Sequence, residues 1–292
     1  VLENVRFYVA EEKNDSEFAK KIVKSSLADY FVQDGFGVVH RAHASTAAIT
    51  QWLPSVAGLL LEREVSTITN AMSHPDHPLV AVLGGAKVSD KLPLMEALEP
   101  IADTVVIGGA MANTFLAAKG VAMGASKFEQ DQDKQIAAIY TRAAQKVGSE
   151  NVDSFLQLPT DVAVAKRPTA EAKRKNVPIR AIAPDDRALD IGDETTERYV
   201  QVIEKAKTVI WNGTMGFAEL PEFAHGSARV AMALATHPNI VSIIGGGDTA
   251  DFALHWDAKE GGSFTHVSTG GGASLELMSG QKLPGVEALL NK

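Results

Sequence analysis

Five short apolar runs, each ending in glycine or Asn-Gly, constrain this chain more than anything else in it. Leu79-Val80-Ala81-Val82-Leu83 runs into Gly84-Gly85, Thr104-Val105-Val106-Ile107 into Gly108-Gly109, and Thr208-Val209-Ile210-Trp211 into Asn212-Gly213. Ile240-Val241-Ser242-Ile243-Ile244 ends in Gly245-Gly246-Gly247, and Thr265-His266-Val267-Ser268-Thr269 in Gly270-Gly271-Gly272. Continuous β-branched runs, unlike alternating ones, mark strands buried on both faces, the habit of a parallel sheet. Helical patterns lie between them, near 89–98, 112–119, 131–147, 194–206, 227–235 and 249–256. Strands alternating with helices predict an α/β fold of right-handed βαβ units in a doubly wound parallel sheet.

The first 78 residues follow a different rhythm. Val1-Leu2 and Val5-Arg6-Phe7 read as extended, a start that suggests the middle of a longer protein. Asn14-Asp15-Ser16 offers helix caps, with Phe18, Ile22 and Leu27 as the apolar stripe behind them. Tyr30-Phe31-Val32 predicts a strand, and 55–72 predicts a helix in which Leu59–Leu61 packs into the core. That helix ends at Ser73-His74-Pro75-Asp76-His77-Pro78, the clearest linker in the chain and the expected domain boundary. Farther on, strand-like segments at 161–165 and 177–182 flank the basic stretch Lys166-Arg167 and Lys173-Arg174-Lys175, expected to be a solvated loop.

Composition removes several function classes. The 292 residues suggest two domains, and 45% hydrophobic with 22% charged residues is a globular balance. Lys plus Arg number 28 against 36 Asp plus Glu, a net charge of −8, so neither nucleic acid nor a membrane surface is an expected partner. With no cysteine the chain has no disulfide, zinc-thiolate or thiol nucleophile, which suits a reducing, cytoplasmic setting. His40 with His43 and His74 with His77 form H-x-x-H pairs that lack a third metal ligand, so hydrogen bonding is their expected role.

The glycine turns carry the chemistry. In an open α/β sheet the carboxyl ends of the strands form the ligand crevice, where glycine lets backbone N–H groups approach and helix N-termini favour anions. A phosphate-bearing ligand is therefore expected. The pattern G-x-x-x-x-G-K-[ST] is absent, which excludes a P-loop. Gly245-Gly246-Gly247-Asp248-Thr249-Ala250 satisfies the looser dinucleotide pattern, yet no acid follows where a ribose would need one, since the next strand ends in Ser268-Thr269-Gly270. Lys87 and Lys91, four apart after Gly84-Gly85, would share one face of a nascent helix and point into the crevice. Asp248 is placed either to hold magnesium beside phosphates or to cap a helix, and Glu219 either to take a ribose hydroxyl or to serve as a surface acid. Lysines, glycine-bounded helix starts and one carboxylate suit phosphoryl transfer, which needs positioning and charge neutralisation more than a nucleophilic side chain.

Six segments, in order, resemble the phosphoglycerate kinase family: Leu2-Glu3-Asn4-Val5-Arg6-Phe7, His40-Arg41-Ala42-His43-Ala44-Ser45-Thr46, Gly84 to Lys91, Trp211-Asn212-Gly213, Gly245-Gly246-Gly247-Asp248-Thr249, and Ser268 to Ser274. The resemblance implies two doubly wound, Rossmann-like domains joined by a helical hinge, the first incomplete in this chain. Residues 1–58 would be the later part of the phosphoglycerate-binding domain, 59–75 the connecting helix and linker, 76–275 the nucleotide domain, and 276–292 a tail returning to the first domain. It implies a magnesium-dependent, hinge-bending, monomeric glycolytic enzyme that moves a phosphoryl group between 1,3-bisphosphoglycerate and ADP, giving 3-phosphoglycerate and ATP. Arg6 and Arg41 would bind phosphoglycerate, and Lys87 would stabilise the phosphoryl group in flight. Lys91, Gly108, Gly109, Asn212, Glu219, Gly246, Gly247, Asp248 and Thr249 would bind the nucleotide, with Asp248 on Mg²⁺. Gly247 and Gly272 sit where family helix N-termini face the transferred group.

The chain departs from the family pattern at several points. The family's first segment, which supplies part of the substrate site, has no counterpart. Thr214 stands where proline is usual, Ala110 for a third glycine, Phe217-Ala218 for Val-Phe, and Gln33-Asp34-Gly35 for Asn-Asp-Ala. The alternatives are a nicotinamide-dependent dehydrogenase and a non-catalytic nucleotide-binding fragment. Calorimetric titration with Mg-ADP should release heat and raise the thermal midpoint, and a silent titration with no thermal shift would count against a nucleotide site at 76–275.

Overall fold

The computed structural model describes residues 1–290; residues 291 and 292, the end of the expected tail, lie outside the described residues. Two compact units divide the described chain: residues 1–70 with 269–290, and residues 71–268. The segment 269–275, expected with the nucleotide domain, thus packs with the first unit.

In the first unit, Val5–Phe7 is a single 3₁₀ turn and not an extended segment, because the Asn4 side chain accepts from the Arg6 amide at 3.0 Å. Helix α1 (Ser16–Ser26) is capped by Asp15, whose carboxylate accepts from the Phe18 amide at 2.7 Å. Leu27 does not extend its stripe. It takes the left-handed conformation that ends the helix and is 87% exposed. Strands β1 (Phe31–Gln33) and β2 (Ser55–Ala57) pair in parallel, so the helix expected from 55 begins instead at Leu59. The cause is local: Asp34 Oδ1 accepts from the amides of Leu60 and Leu61, starting α2 (Leu59–Ser73) after Gly58. Leu61 is buried, but Leu59 and Leu60 are exposed, since three consecutive residues cannot share one helical stripe.

The second unit is built on six parallel strands. They are β3 (Leu79–Leu83), β4 (Thr104–Ile107), β5 (Leu156–Gln157), β9 (Thr208–Asn212), β10 (Val241–Gly245) and β11 (His266–Val267), ordered β5-β4-β3-β9-β10-β11. Every residue of β3 and β9 is buried, as unbroken apolar runs require. The connecting helices are α3 (Leu92–Leu98), α4 (Gly109–Ala118), α5 (Asp133–Val147), α6 (Asp193–Ile203), α7 (His225–Thr236) and α8 (Gly247–Trp256). The order reverses between β3 and β9, so the crevice opens at the ends of those two strands. Trp211 on β9, fully buried, packs edge-on against Phe252 of α8 with ring centroids 6.1 Å apart.

Between β5 and β9 the chain forms a separate antiparallel sheet, β7-β6-β8, from β6 (Asp161–Ala165), β7 (Lys175–Pro178) and β8 (Arg187–Ile191). The sequence suggested a strand at 177–182, but the ladder stops at Pro178 and a 3₁₀ turn follows; β5 and β8 were not anticipated. Along β6, Ala163 faces Asp190 and Val164 faces Ala188, leaving Leu189 as a one-residue bulge. The basic stretch is exposed, as expected, at Lys166, Arg167, Lys173 and Lys175, and Arg174 alone is drawn in. Lys166 pairs with Asp185 and Asp186 at 2.5 and 2.8 Å, and Arg174, 13% exposed, reaches Asp193 at 2.9 Å.

The chain then returns to the first unit in α9 (Gly272–Met278) and α10 (Pro284–Leu290). The amide of Gly285 donates to Val39 O at 2.8 Å, and a Cβ on Gly270 would strike the Phe36 ring. The sharpest backbone constraint lies in the second unit, where Gly213 has φ +106° and a Cβ there would meet the backbone of Gly84. Gly213→Ala should therefore destabilise the protein by roughly 1–3 kcal/mol or more, read as a lowered thermal midpoint.

Candidate functional site

The ends of β3, β4 and β9 are knitted together by their own backbones. Gly84 N donates to Asn212 O at 3.1 Å, Gly85 N to Thr214 O at 3.0 Å, and Gly109 N to Met215 O at 2.7 Å. A Cβ on Gly108 would meet Met215, and its amide is taken by Leu83 O at 2.8 Å. Gly108 is therefore a packing residue, whereas Gly109 lines the cleft. Thr214, in the family's proline position, braces the loop through Oγ1 donating to Gly216 O at 2.9 Å.

A cleft of about 440 Å³ lies beside these turns. Gly85, Ala86, Gly109 and Ala110 form one side, Leu189, Gly216 and Phe217 another, and Glu219 and Asp248 also line it. That volume is within the usual range for small-molecule sites. Lys127 and Arg187 line it as well, cations that sequence reasoning missed; Arg187 is turned to the Ala125 carbonyl at 2.7 Å.

The polar end is formed by Lys91, Asn212 and the start of α8. Lys91 Nζ donates to Asn212 Oδ1, and burial pushes its ammonium below the usual lysine range against the opposing fields of Asp90 and Asp248. Asn212 is fully buried, and its Nδ2 finds no partner among the described residues. Gly246 has φ +89° and a Cβ there would approach Asn212 Nδ2 to 3.2 Å, while a Cβ on Gly247 would meet nothing within 4 Å. The N-terminus of α8 thus carries no side-chain cap, and exposed Asp248 stands in its first turn. An uncapped ten-residue helix start, a lysine and an unsatisfied amide donor make a cradle for an anion.

Lys87 and Lys91 do not share a helical face. Lys87 is exposed in the loop after β3, Ser89–Lys91 is a 3₁₀ turn, and α3 starts only at Leu92. Ser89 donates to Glu129 through its hydroxyl at 2.5 Å and its amide at 3.0 Å. Against a burial penalty, those bonds and the field of Lys87 hold Glu129 below the usual carboxylate range. Thr249 is 1% exposed, and its Oγ1 accepts from Gly213 N at 2.7 Å, so it braces the turn beneath the cradle.

In the first unit a second cluster forms around His40. Its Nε2 accepts from Arg41 Nε at 3.2 Å, and a Cβ on Gly272 would lie 3.2 Å from the same atom. Burial lowers the His40 pKa, with Arg41, His43 and Arg6 adding to the effect and Glu276 opposing it. Arg6, Arg41 and Gly272 are thus brought to one cationic locality whose centre, His40, was read from the sequence only as a hydrogen-bonding histidine. Buried Glu11 holds the turn after it, accepting from the Ser45 amide and hydroxyl at 3.1 and 2.5 Å. His77 Nδ1 lies 2.6 Å from Asp103 Oδ2, a hydrogen bond as expected. Among the described residues no group of three or more His, Cys, Asp or Glu could hold a metal unaided, and no helix is long and apolar enough to cross a membrane.

Comparison with known proteins gives one consistent answer. The family profile described as phosphoglycerate kinase matches residues 1–281. The phosphoglycerate kinases of Pelotomaculum thermopropionicum and Moorella thermoacetica are each 46% identical over 292 residues, covering all of this chain and 72% of theirs. Among solved structures, phosphoglycerate kinase from Coxiella burnetii superposes with a TM-score of 0.86 at 37% identity, over 98% of this chain and 71% of that one. The enzyme from Pyrococcus horikoshii OT3 gives 0.79 at 33% identity, over 99% and 72%.

The brace under the cradle can be tested by stability. Thr249→Val keeps the shape but strands the buried Gly213 amide, which should cost about 1–3 kcal/mol in denaturant unfolding.

Proposed function

The chain belongs to the phosphoglycerate kinase family, and from that premise we propose how its residues divide the reaction. The activity is reversible phosphoryl transfer between 1,3-bisphosphoglycerate and ADP. A terminal oxygen of ADP attacks the acyl phosphorus, the bond from phosphorus to the carboxyl oxygen breaks, and 3-phosphoglycerate leaves as a carboxylate. A nicotinamide-dependent reaction and a non-catalytic fragment are not favoured, since the matched relatives are phosphoglycerate kinases along the full length of this chain.

The observation that carries the assignment is the cradle at the switch point of the parallel sheet, where Lys91, Asn212 Nδ2 and the uncapped start of α8 converge. Nucleotide phosphates fit it, because acceptor oxygens would satisfy the buried amide and neutralise the lysine. The apolar cleft between Ala110 and Leu189 suits the base, and Glu219 suits a ribose hydroxyl. Asp248 is a hard oxygen donor beside the place assigned to the phosphates, which fits Mg²⁺ held by one carboxylate and phosphate oxygens; the ion would neutralise phosphate charge. Lys87, exposed and free of the cradle, is assigned to the phosphoryl group in transit. Gly247 and Gly272 each stand at a helix start, where open backbone amides suit a phosphoryl group. Gly108 supports Gly109 by close packing.

Arg6 and Arg41 are assigned to phosphoglycerate, whose phosphate and carboxylate suit guanidinium forks. The low His40 pKa keeps that ring neutral among the arginines, leaving the positive charge on the forks. The cysteine-free composition suits a cytoplasmic setting, and membership of the family supports a monomer acting on small molecules.

Kinetics separate these roles. In a coupled assay Lys87→Ala should lower kcat by about 10²-fold or more while leaving Mg-ADP affinity nearly intact, the signature of charge stabilisation made in the transition state. Arg6→Ala and Arg41→Ala should each raise the phosphoglycerate KM roughly tenfold or more, the worth of one charge-assisted contact. Loss of ADP affinity in Arg6→Ala would reverse the assignment.

A further inference from the structure

Behind the apolar wall of the cleft lies a carboxylate that the phosphoryl-transfer reading does not use. The Asp190 side chain is 0% exposed. Its Oδ2 accepts from the Gly226 amide at 2.9 Å, in the first turn of α7, where the helix has no side-chain cap of its own. Its Oδ1 accepts from the Ile191 amide at 2.9 Å, and Arg174 Nη1 stands 3.5 Å from Oδ2. A Cβ on either Gly216 or Gly226 would run into Oδ1, so the carboxylate is seated against both α-carbons.

Those contacts bear on the cleft because of what adjoins them. The bulge that leaves Leu189 unpaired also sets Asp190 opposite Ala163, and Leu189 O accepts from Phe217 N at 2.7 Å. Ser227, next to Gly226, takes the Met215 amide at 2.9 Å. Strand β8, the start of α7 and the loop 213–217 thus meet at one buried charge, and Leu189, Gly216 and Phe217 are cleft wall.

We propose that Asp190 is a positioning residue of the nucleotide cleft: by tying β8 to the start of α7 with Gly216 wedged between, it sets where Leu189, Gly216 and Phe217 stand against the nucleoside. The proposal rests on reading the cleft as a nucleotide site.

Its electrostatics give the test a sign. Burial raises the Asp190 pKa to about 7, opposed by the Gly226 amide, Arg174 and the Ile191 amide, while Asp193 pushes the same way as burial. The surrounding charged groups are Arg174 ahead of β7, Asp193 at the start of α6, and His225 of α7, which lies 3.4 Å from Asp193 with its own pKa lowered by burial and by Arg174. A folded pKa raised above the ordinary value means that the folded state takes up the proton first. Fold stability from this group therefore rises as pH falls toward and below 7. The clamp runs the other way, since a neutral acid accepts more weakly from Gly226 than a carboxylate does.

Mg-ADP titration and thermal unfolding of the wild type, Asp190→Asn and Asp190→Ala between pH 6 and 8 decide the matter. Asp190→Ala should weaken Mg-ADP binding roughly tenfold or more, the scale of a displaced positioning surface, and Asp190→Asn, which keeps one acceptor oxygen for two amides, should fall between it and the wild type. As pH falls from 8 to 6, wild-type affinity should decline relative to Asp190→Asn while wild-type stability rises relative to it. A merely structural aspartate would change the unfolding midpoint and leave the affinity ratio flat with pH, which would overturn the proposal. If Asp190→Ala does not fold, the pH dependence of Asp190→Asn alone decides. Absence of Mg-ADP binding by the wild type would instead overturn the reading of the cleft.

Discussion

The approach of three strand-end turns to within backbone contact is the constraint on which the rest of this molecule depends. Gly84, Gly108, Gly109 and Gly213 stand where a Cβ would strike a neighbouring backbone or Met215. In return, the amides and carbonyls of those turns satisfy one another at 2.7 to 3.1 Å. Side chains there would open the ends of β3, β4 and β9, and the crevice of a parallel sheet would lose its floor. Because the floor is backbone, the variable parts of the cleft are carried by what is laid on it: the loop 213–217, the bulged strand β8 and the start of α8.

A second layer of buried polar groups holds that arrangement, and each member has a specific task. Thr249 takes the Gly213 amide, Ser227 the Met215 amide, and Asp190 the Gly226 amide. Every one is a donor that would otherwise be stranded away from water, so the layer acts cooperatively and tolerates little substitution. Lys91 and Asn212 differ from this pattern. Their pairing leaves Asn212 Nδ2 unsatisfied among the described residues, and burial weakens the hold of Lys91 on its proton. A layer that is fully paired beneath and under-paired above directs its unmet demand toward the cleft.

Much of this was legible in the sequence. Doubly buried strands announce themselves by unbroken apolar runs, so β3, β4, β9, β10 and β11 were all anticipated, with the turns that end them. Three others were not: β2 is three residues long, β5 two, and β8 alternates around a bulge, so none presents a run. Leu27 and Leu59 misled because an apolar residue says nothing of the backbone conformation that Asp34 or a left-handed cap imposes. In the site, lysines and glycines could be read from their spacing after a strand. Asp190 could not, because a buried acid is recognised only by the partners that a fold assembles around it. His40 was visible as a motif, but its place among Arg6, Arg41 and Glu276 depends on chain segments more than 200 residues apart in sequence.

The division of the chain into units has an order in time as well as in space. Residues 71–268 form a contiguous unit, whereas the other is made from 1–70 together with the far end of the chain. A ribosome synthesises the whole of the contiguous unit before the strip that joins the discontinuous one. Strands β3, β4 and β9 can therefore pair while Phe36 and Val39 still await Gly270 and Gly285. Until then the early segment lacks the contacts that this strip supplies, and the apolar surface left open is what a chaperone would meet.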